Sequence, residues 1–335
     1  LEQRTIAIGP SKSSDTLSPA QLLVSGAMFD PKNVQSLQVP VIAAPMFLVS
    51  GPDLVVEAAK AGIVGAFPTL NARSPQVLDA WLEDITRRCE GAPGGYAANL
   101  ILHPSNVRRE DDLDLVVRHR VPWVITSVGS PASVIERVRA YGGQVIADVA
   151  TIRHARKAAN AGVDMLVLLT AGAGGNTGWI NPFAFIEEVR AFWKGPLAVA
   201  GSITTGRQVR AIQVAGADLA YVGTPFIATH ESLAATDYKQ ALCTASADDI
   251  VLTDAVTGIP ANFLASSLRA QGIMQADGTL LPRGASDIGS WKTAWSAGQG
   301  VASIREIRTV ADRVRALHGE WLAACHSQPP ANAQS

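Results

Sequence analysis

The densest chemistry in the sequence lies in one segment, Thr170-Ala171-Gly172-Ala173-Gly174-Gly175-Asn176-Thr177-Gly178-Trp179. Four glycines fall within seven residues, so backbone N–H groups can approach an anion or a flat ring with no Cβ in the way. A flexible turn with incidental glycines is the alternative, although such a turn needs only one or two. Two further stretches carry related chemistry, Ala200-Gly201-Ser202-Ile203-Thr204-Thr205-Gly206 and Gly223-Thr224-Pro225-Phe226. Backbone N–H groups and hydroxyls at such turns can hold a phosphate monoester, while Thr204 or Thr205 could equally cap a following helix. Proton-transfer groups are sparse. His103 in Leu102-His103-Pro104-Ser105-Asn106, His230 beside Glu231, and the Tyr238-Lys239 pair are candidates, each also explained by solvation or amphipathic packing. The three cysteines, Cys89, Cys243 and Cys325, stand far apart without CxxC spacing, and the six histidines form no metal-binding pattern. Metal chemistry and a disulfide framework are therefore not expected.

These turns need elements to hold them in place. From about Val39 to Phe226, short apolar or β-branched runs alternate with amphipathic ones, which is the pattern of repeated strand-helix units around a parallel sheet. Eight strands are predicted, at Val41–Ala44, Ile63–Phe67, Gly95–Leu100, Trp123–Thr126, Gln144–Val149, Met165–Leu169, Leu197–Ala200 and Leu219–Val222. Helices are predicted at Asp53–Ala61, Pro75–Arg88, Asp112–His119, Pro131–Tyr141, Ile152–Ala161, Pro182–Trp193 and Thr205–Val214. An open doubly wound sheet also fits that alternation. The glycine turns, however, directly follow the sixth, seventh and eighth strands, where a (β/α)8 TIM barrel builds its phosphate site. The first strand is followed by Pro45-Met46-Phe47 and not by GxGxxG. The expected class is thus α/β, a closed barrel over residues 1–226, followed by an irregular cap over 227–303. A C-terminal helix within 304–326 is expected to pack back on the barrel, and a polar tail over 327–335 to be disordered.

The chain has 335 residues, 47% apolar and 17% charged, with a formal net charge of −1 spread along its length. That composition supports a large buried core and carries no electrostatic footprint for nucleic acid or an anionic membrane. Leu1–Pro10 has neither the basic start nor the apolar run of a signal peptide, and no stretch reaches the roughly 18 apolar residues of a membrane span. A cytoplasmic protein with a small-molecule partner is expected, with self-association through exposed helices a weaker expectation.

In order along the chain, Ala43-Ala44-Pro45-Met46, Ala98-Asn99-Leu100, AGAGGN at 171–176, AGSI at 200–203, VGTPFIAT at 222–229, Asp237-Tyr238-Lys239 and Trp295-Ser296-Ala297-Gly298-Gln299-Gly300 resemble the nitronate monooxygenase (2-nitropropane dioxygenase) family. The resemblance covers roughly residues 39–320 and implies FMN as cofactor, a small substrate that reduces it and O2 that reoxidises it, without a nicotinamide requirement. It implies that Ala44, Pro45, Met46 and Asn99 lie against the flavin ring. Gly175, Gly201, Ser202, Gly223 and Thr224 would hold the phosphate, with Ala173 and Gly174 in the same turn, and Ser296, Gly298 and Gln299 would close the site. Asp148 falls where relatives often place a basic or imidazole side chain near the flavin. It is counted with the cofactor-binding residues, or else turns away to cap the next helix.

One departure matters more than the matches. The family turn usually ends Gly-Gly-His, whereas this chain has Asn176. An asparagine amide can orient a nitronate or carbonyl oxygen but cannot act as a base near neutral pH. Oxidation of an already ionised nitronate is therefore the leading expectation, with Asn176 and His103 as the candidate catalytic residues. The alternative is an NAD(P)H-dependent flavin reductase or dehydrogenase of enones or CoA-type thioesters, in which Asn176 polarises a carbonyl and Arg153, Arg156 and Lys157 could flank a basic channel. A flavin-binding protein without turnover is the third possibility.

Overall fold

The computed structural model describes residues 36–256, 258–282 and 293–327. The expectations for Leu1–Pro10 and for all but the first residue of the 327–335 tail lie outside the described residues.

Eight strands close into a parallel barrel in the order β1-β2-β3-β4-β5-β6-β8-β9. They are β1 Val41–Ala43, β2 Val64–Pro68, β3 Tyr96–Ile101, β4 Trp123–Ser127, β5 Gln144–Val149, β6 Met165–Leu169, β8 Leu197–Ala200 and β9 Leu219–Val222. The expected barrel is present, and β1 completes it by pairing with both β2 and β9. The remaining strand in chain order, β7 Gly175–Asn176, lies outside the barrel.

Alternation along the strands sorts the side chains into two cores. Ile42, Val64, Ala97, Trp123, Ile146, Met165, Val167, Ala198 and Leu219 point inward and fill the barrel. The opposite faces pack against the outer helices α1 Pro52–Lys60, α2 Pro75–Arg88, α3 Arg109–Arg118, α4 Ala132–Arg139, α5 Ile152–Ala161, α6 Pro182–Arg190 and α7 Gly206–Val214. Local chemistry starts several of these helices. Ser74 and Thr151 cap α2 and α5, and Thr205 forms a capping box with Gln208 at the start of α7. Thr205 is therefore the residue before that helix and not its first turn.

Beyond β9 come α8 Thr224–Ile227, α9 Thr236–Thr244, β10 Ile250–Thr253, β11 Ala261–Leu264 and α10 Ala265–Ala270. The sequence suggested an irregular cap here, but β10 and β11 form an antiparallel pair, and β11 also pairs with β7. The alternation in Ala261-Asn262-Phe263-Leu264 is too short to announce a strand, and its partner β7 has only two residues. The last helix, α11 Val310–His326, begins later than the run expected from Ile304 because Thr309 supplies its cap. It docks on α7 through Glu320, whose carboxylate accepts from the Gly206 N–H at 2.8 Å, and Trp321, whose indole donates to Gln213 at 2.8 Å.

Candidate active site

All the barrel strands point their carboxyl ends to one rim, and the candidate residues gather there on four walls. The first wall follows β1. Asn71, buried after β2, donates from Nδ2 to the carbonyls of Met46 at 2.9 Å and Ser50 at 2.8 Å, while its Oδ1 accepts from Leu48 N–H at 2.8 Å. Ser50 Oγ accepts from Met46 N–H at 3.0 Å. These bonds fix the path of Ala44, Pro45 and Met46 and hold Leu48 at φ 62°, a conformation unusual for a side-chain-bearing residue.

The second wall is a polar row across β3, β4 and β5. Asn99 Nδ2 donates to Ser127 Oγ at 2.7 Å, and Ser127 Oγ donates to Asp148 Oδ2 at 2.5 Å. Asp148 shares the inward face with Ile146, and Thr151 is the residue that caps α5. Asp148 has therefore not turned away to cap that helix. Burial pushes its carboxyl up to about 6, partly offset by the Ser127 hydrogen bond. From β9, the phenol of Tyr221 is buried without a hydrogen-bond partner among the described residues, and burial together with the nearby Asp148 raises its ionisation well above the ordinary range.

The third wall joins the glycine turn to the turns after β8 and β9. A Cβ at Gly172, which has φ 90°, would lie 2.5 Å from Ser202 Oγ and 2.8 Å from Gln299 Oε1, so only glycine fits. Gly201, at φ 131°, leaves room for Thr170 Oγ1 in the same way. Ser202 itself has φ 55°. Next to it, Gln208 Oε1 accepts from the N–H groups of Thr204 at 2.8 Å and Thr205 at 3.1 Å, so those two donors are already engaged.

The cap supplies the fourth wall. Gln299 N–H donates to Gly172 O at 3.0 Å, and Gly298 N–H donates to Thr224 Oγ1 at 3.0 Å. Asn262 Nδ2 donates to Ala173 O at 2.7 Å, and the β7–β11 ladder sets Asn176 opposite Ala261 and Gly175 opposite Asn262. Tyr238 stacks on Trp295 with ring centres 5.2 Å apart, and its hydroxyl donates to the Ser296 carbonyl.

Thus Ala173, Gly174, Gly175, Gly201, Ser202, Thr224, Gly298 and Gln299 come together, with Gly223 facing Met46 and Ala44 across the β1–β9 seam. His103 does not join them through any hydrogen bond among the described residues. It is exposed on its loop, with Nδ1 bonded to Ser105 Oγ at 2.7 Å. His230 is also exposed and lines a surface pocket with Glu306, Arg308, Asp312 and Arg315. Lys239 and Tyr238, considered as donors to substrate or phosphate, are engaged within the cap. Lys239 Nζ donates to Ser232 O at 2.9 Å, and desolvation lowers its pKa. The sequence reading missed Asn71, Ser127, Tyr221 and Asn262. A polar residue at a strand's carboxyl end marks Ser127, but nothing local marks an asparagine that works on a distant carbonyl.

The unsatisfied atoms of the site bear on its fit to a flavin. Asn176 Oδ1, Ser296 Oγ and Tyr221 OH are buried without hydrogen-bond partners among the described residues, a costly state unless a ligand or water completes them. A polar row at one side and a backbone-lined glycine cradle at the other match a molecule with a heteroaromatic end and an anionic end, so these residues fit.

A closed parallel barrel with a site at the carboxyl ends of its strands defines a TIM barrel. More specifically, the chain belongs to the nitronate monooxygenase family, whose model matches residues 70–276. Family membership implies a flavin cofactor. A protein of Mycobacterium tuberculosis named as a monooxygenase is 32% identical over 165 residues, 49% of this chain and 44% of that protein. A hydroxy-methyl-oxo-octahydroindene-carboxyl-CoA dehydrogenase of Rhodococcus jostii is 25% identical over 232 residues, 69% of this chain and 64% of that one. The chain thus spans less than two thirds of the length of these curated relatives. Among solved structures, a nitroalkane oxidase from Streptomyces ansochromogenes superposes with a TM-score of 0.75 at 25% identity, covering 87% of this chain and 98% of that one.

Proposed function

We propose that the chain is an FMN-dependent oxidoreductase that oxidises a small nitronate, or a similar anion, with O2 as the final oxidant. The observation that carries this reading is the seam between the glycine turn and the cap, where the side chains of Asn176 and Ser296 are buried and incompletely bonded. When bound, FMN supplies the redox chemistry, taking electrons from substrate and passing them to dioxygen. The chain supplies placement. Ala44, Pro45, Met46, Asn99 and Asp148 lie against the ring. Ala173, Gly174, Gly175, Gly201, Ser202, Gly223 and Thr224 hold the phosphate with backbone N–H groups and hydroxyls. Ser296, Gly298 and Gln299 exclude water from the cap side, and Asn176 orients a substrate oxygen. Because a nitronate is already ionised, the reaction needs no base at position 176. His103, exposed on its loop, is kept as a secondary candidate for contact with substrate. We place the activity in the cytoplasm, with no nucleic-acid or membrane partner and with self-association of the barrel. Oxygen uptake by FMN-loaded protein tests this reading. Consumption with a nitronate and without nicotinamide supports it, and no consumption with any nitronate contradicts it.

A second reading is favoured by the Rhodococcus jostii dehydrogenase, the longer of the two curated matches described above. In it the protein is an NAD(P)H-dependent enone or CoA-thioester reductase or dehydrogenase, and Asn176 polarises a thioester or ketone carbonyl. Arg153, Arg156 and Lys157 are exposed on α5, although Arg156 lies over the Phe192 ring at 4.1 Å. Flavin reduction by NADPH or NADH, with no response to a nitronate, would favour this reading.

A further inference from the structure

The row Asn99–Ser127–Asp148 has a direction. Each hydrogen bond in it donates toward Asp148, from Asn99 Nδ2 to Ser127 Oγ and from Ser127 Oγ to Asp148 Oδ2. The row ends at Oδ1, which takes no hydrogen bond among the described residues. The elements around Asp148 bring it no counter-charge. Ser127 faces it from β4, Val167 stands beside it in register on β6, and Tyr221 approaches from β9 as a neutral phenol. The charges on the neighbouring helices, Glu136, Arg137 and Arg139 of α4 and Arg153, His154, Arg156 and Lys157 of α5, sit on the outer layer, all but the half-buried Arg137 exposed. Against the desolvation of an anion in that position, the Ser127 hydrogen bond is the one compensation among the described residues.

We propose that the protonated, neutral form of Asp148 donates a hydrogen bond from Oδ1 to an acceptor atom of the bound flavin ring, so that in this form the site offers the ring a proton donor where a cation would otherwise serve. This inference rests on the flavin reading of the site. It resolves a conflict in the sequence, where an acidic side chain beside an electron-accepting ring looks unfavourable, because a protonated carboxyl carries no charge. Ionisation turns the donor into an acceptor. The apolar and hydroxyl surroundings delay that ionisation to about pH 6, and the Ser127 bond works against the delay by favouring the anion. No bond to the ring is made or broken in this role, so Asp148 is a cofactor-binding residue and not a proton-transfer catalyst.

The test is binding of riboflavin, which carries the ring but no titrating phosphate, to the full-length apoprotein from pH 4.5 to 8, read by quenching of flavin fluorescence. Wild type should bind roughly tenfold more tightly at pH 5 than at pH 8, the effect expected of one hydrogen bond lost. Asp148→Asn, which keeps a neutral donor at all pH values, should show a flat profile. Ser127→Ala removes the bond that favours the anion and should move the midpoint to higher pH. A flat wild-type profile with tight binding would overturn the role of Asp148 and leave the flavin reading intact, as would an Asp148→Asn profile identical to wild type. Affinity that rises with pH would show that the carboxylate accepts from a ring N–H and would likewise overturn the proposal. Failure of both riboflavin and FMN to bind at any pH would remove the flavin reading itself.

Discussion

The carbonyl of Gly172 accepts a hydrogen bond from the backbone N–H of Gln299 at 3.0 Å, tying the glycine turn after β6 to a cap segment more than a hundred residues away. Turn and cap are therefore joined, and substitutions on either side should affect the same property.

Gly172→Ala places a methyl group on Ser202 Oγ and Gln299 Oε1 at a positive φ. We expect a loss of about 1–3 kcal/mol in stability and reduced FMN occupancy of the purified protein. Thermal melting and the flavin-to-protein absorbance ratio measure the two effects.

Asn262→Ala leaves the buried carbonyl of Ala173 without its donor. A buried acceptor left unsatisfied costs about 1–3 kcal/mol, so the denaturation midpoint should fall. FMN occupancy should fall with it, although Asn262 is not among the proposed FMN contacts. Unchanged occupancy would mean that the turn holds its shape without the cap.

Asp148 gives a pH-dependent prediction. Its carboxyl is raised from 3.8 to about 6 in the folded protein, so between those values the native state binds a proton that the unfolded chain has released. Stability of the apoprotein should therefore be fully present below the lower value and fall as pH rises through the upper one. Asp148→Asn removes this loss, and its melting temperature should exceed that of wild type at pH 7.5 by more than it does at pH 4. The expected difference is on the order of 1–3 kcal/mol. A constant offset across that range would contradict the assignment.

At position 176 two substitutions separate orientation from proton transfer. Asn176→Ala removes the amide and should lower kcat/KM for a nitronate by roughly 10- to 100-fold, the scale of about 1.4 to 2.7 kcal/mol of transition-state contact. Asn176→His restores an imidazole and should add activity on a neutral nitroalkane that rises with pH as the ring loses its proton. Steady-state oxygen uptake across pH distinguishes the two.

The barrel was legible in the sequence because its signals are local and repeated. Each strand is an apolar run, each helix an amphipathic one, and the turns at Gly172, Gly201 and Gly223 mark the carboxyl rim. The cap was less legible. β7 is two residues long, β11 four, and their pairing depends on a contact between segments far apart in the chain. Thr205 shows the limit of motif reading, because the phosphate and helix-cap interpretations use the same residue and only the Gln208 capping box decides between them. Asp148 shows another. Its position was visible in the sequence, but its raised pKa follows from burial, against which the hydrogen bond from Ser127 on the adjacent strand works.

The central claim is that an ionised substrate reduces the bound flavin at a site without a base at position 176. Anaerobic stopped-flow mixing of FMN-loaded protein separately with a nitronate, its neutral nitroalkane, NADPH and NADH tests it most directly by following flavin absorbance. The account predicts rapid bleaching with the nitronate, little with the neutral nitroalkane, and none with either nicotinamide. Bleaching by a nicotinamide with silence toward the nitronate would contradict it and assign the barrel to reductase chemistry.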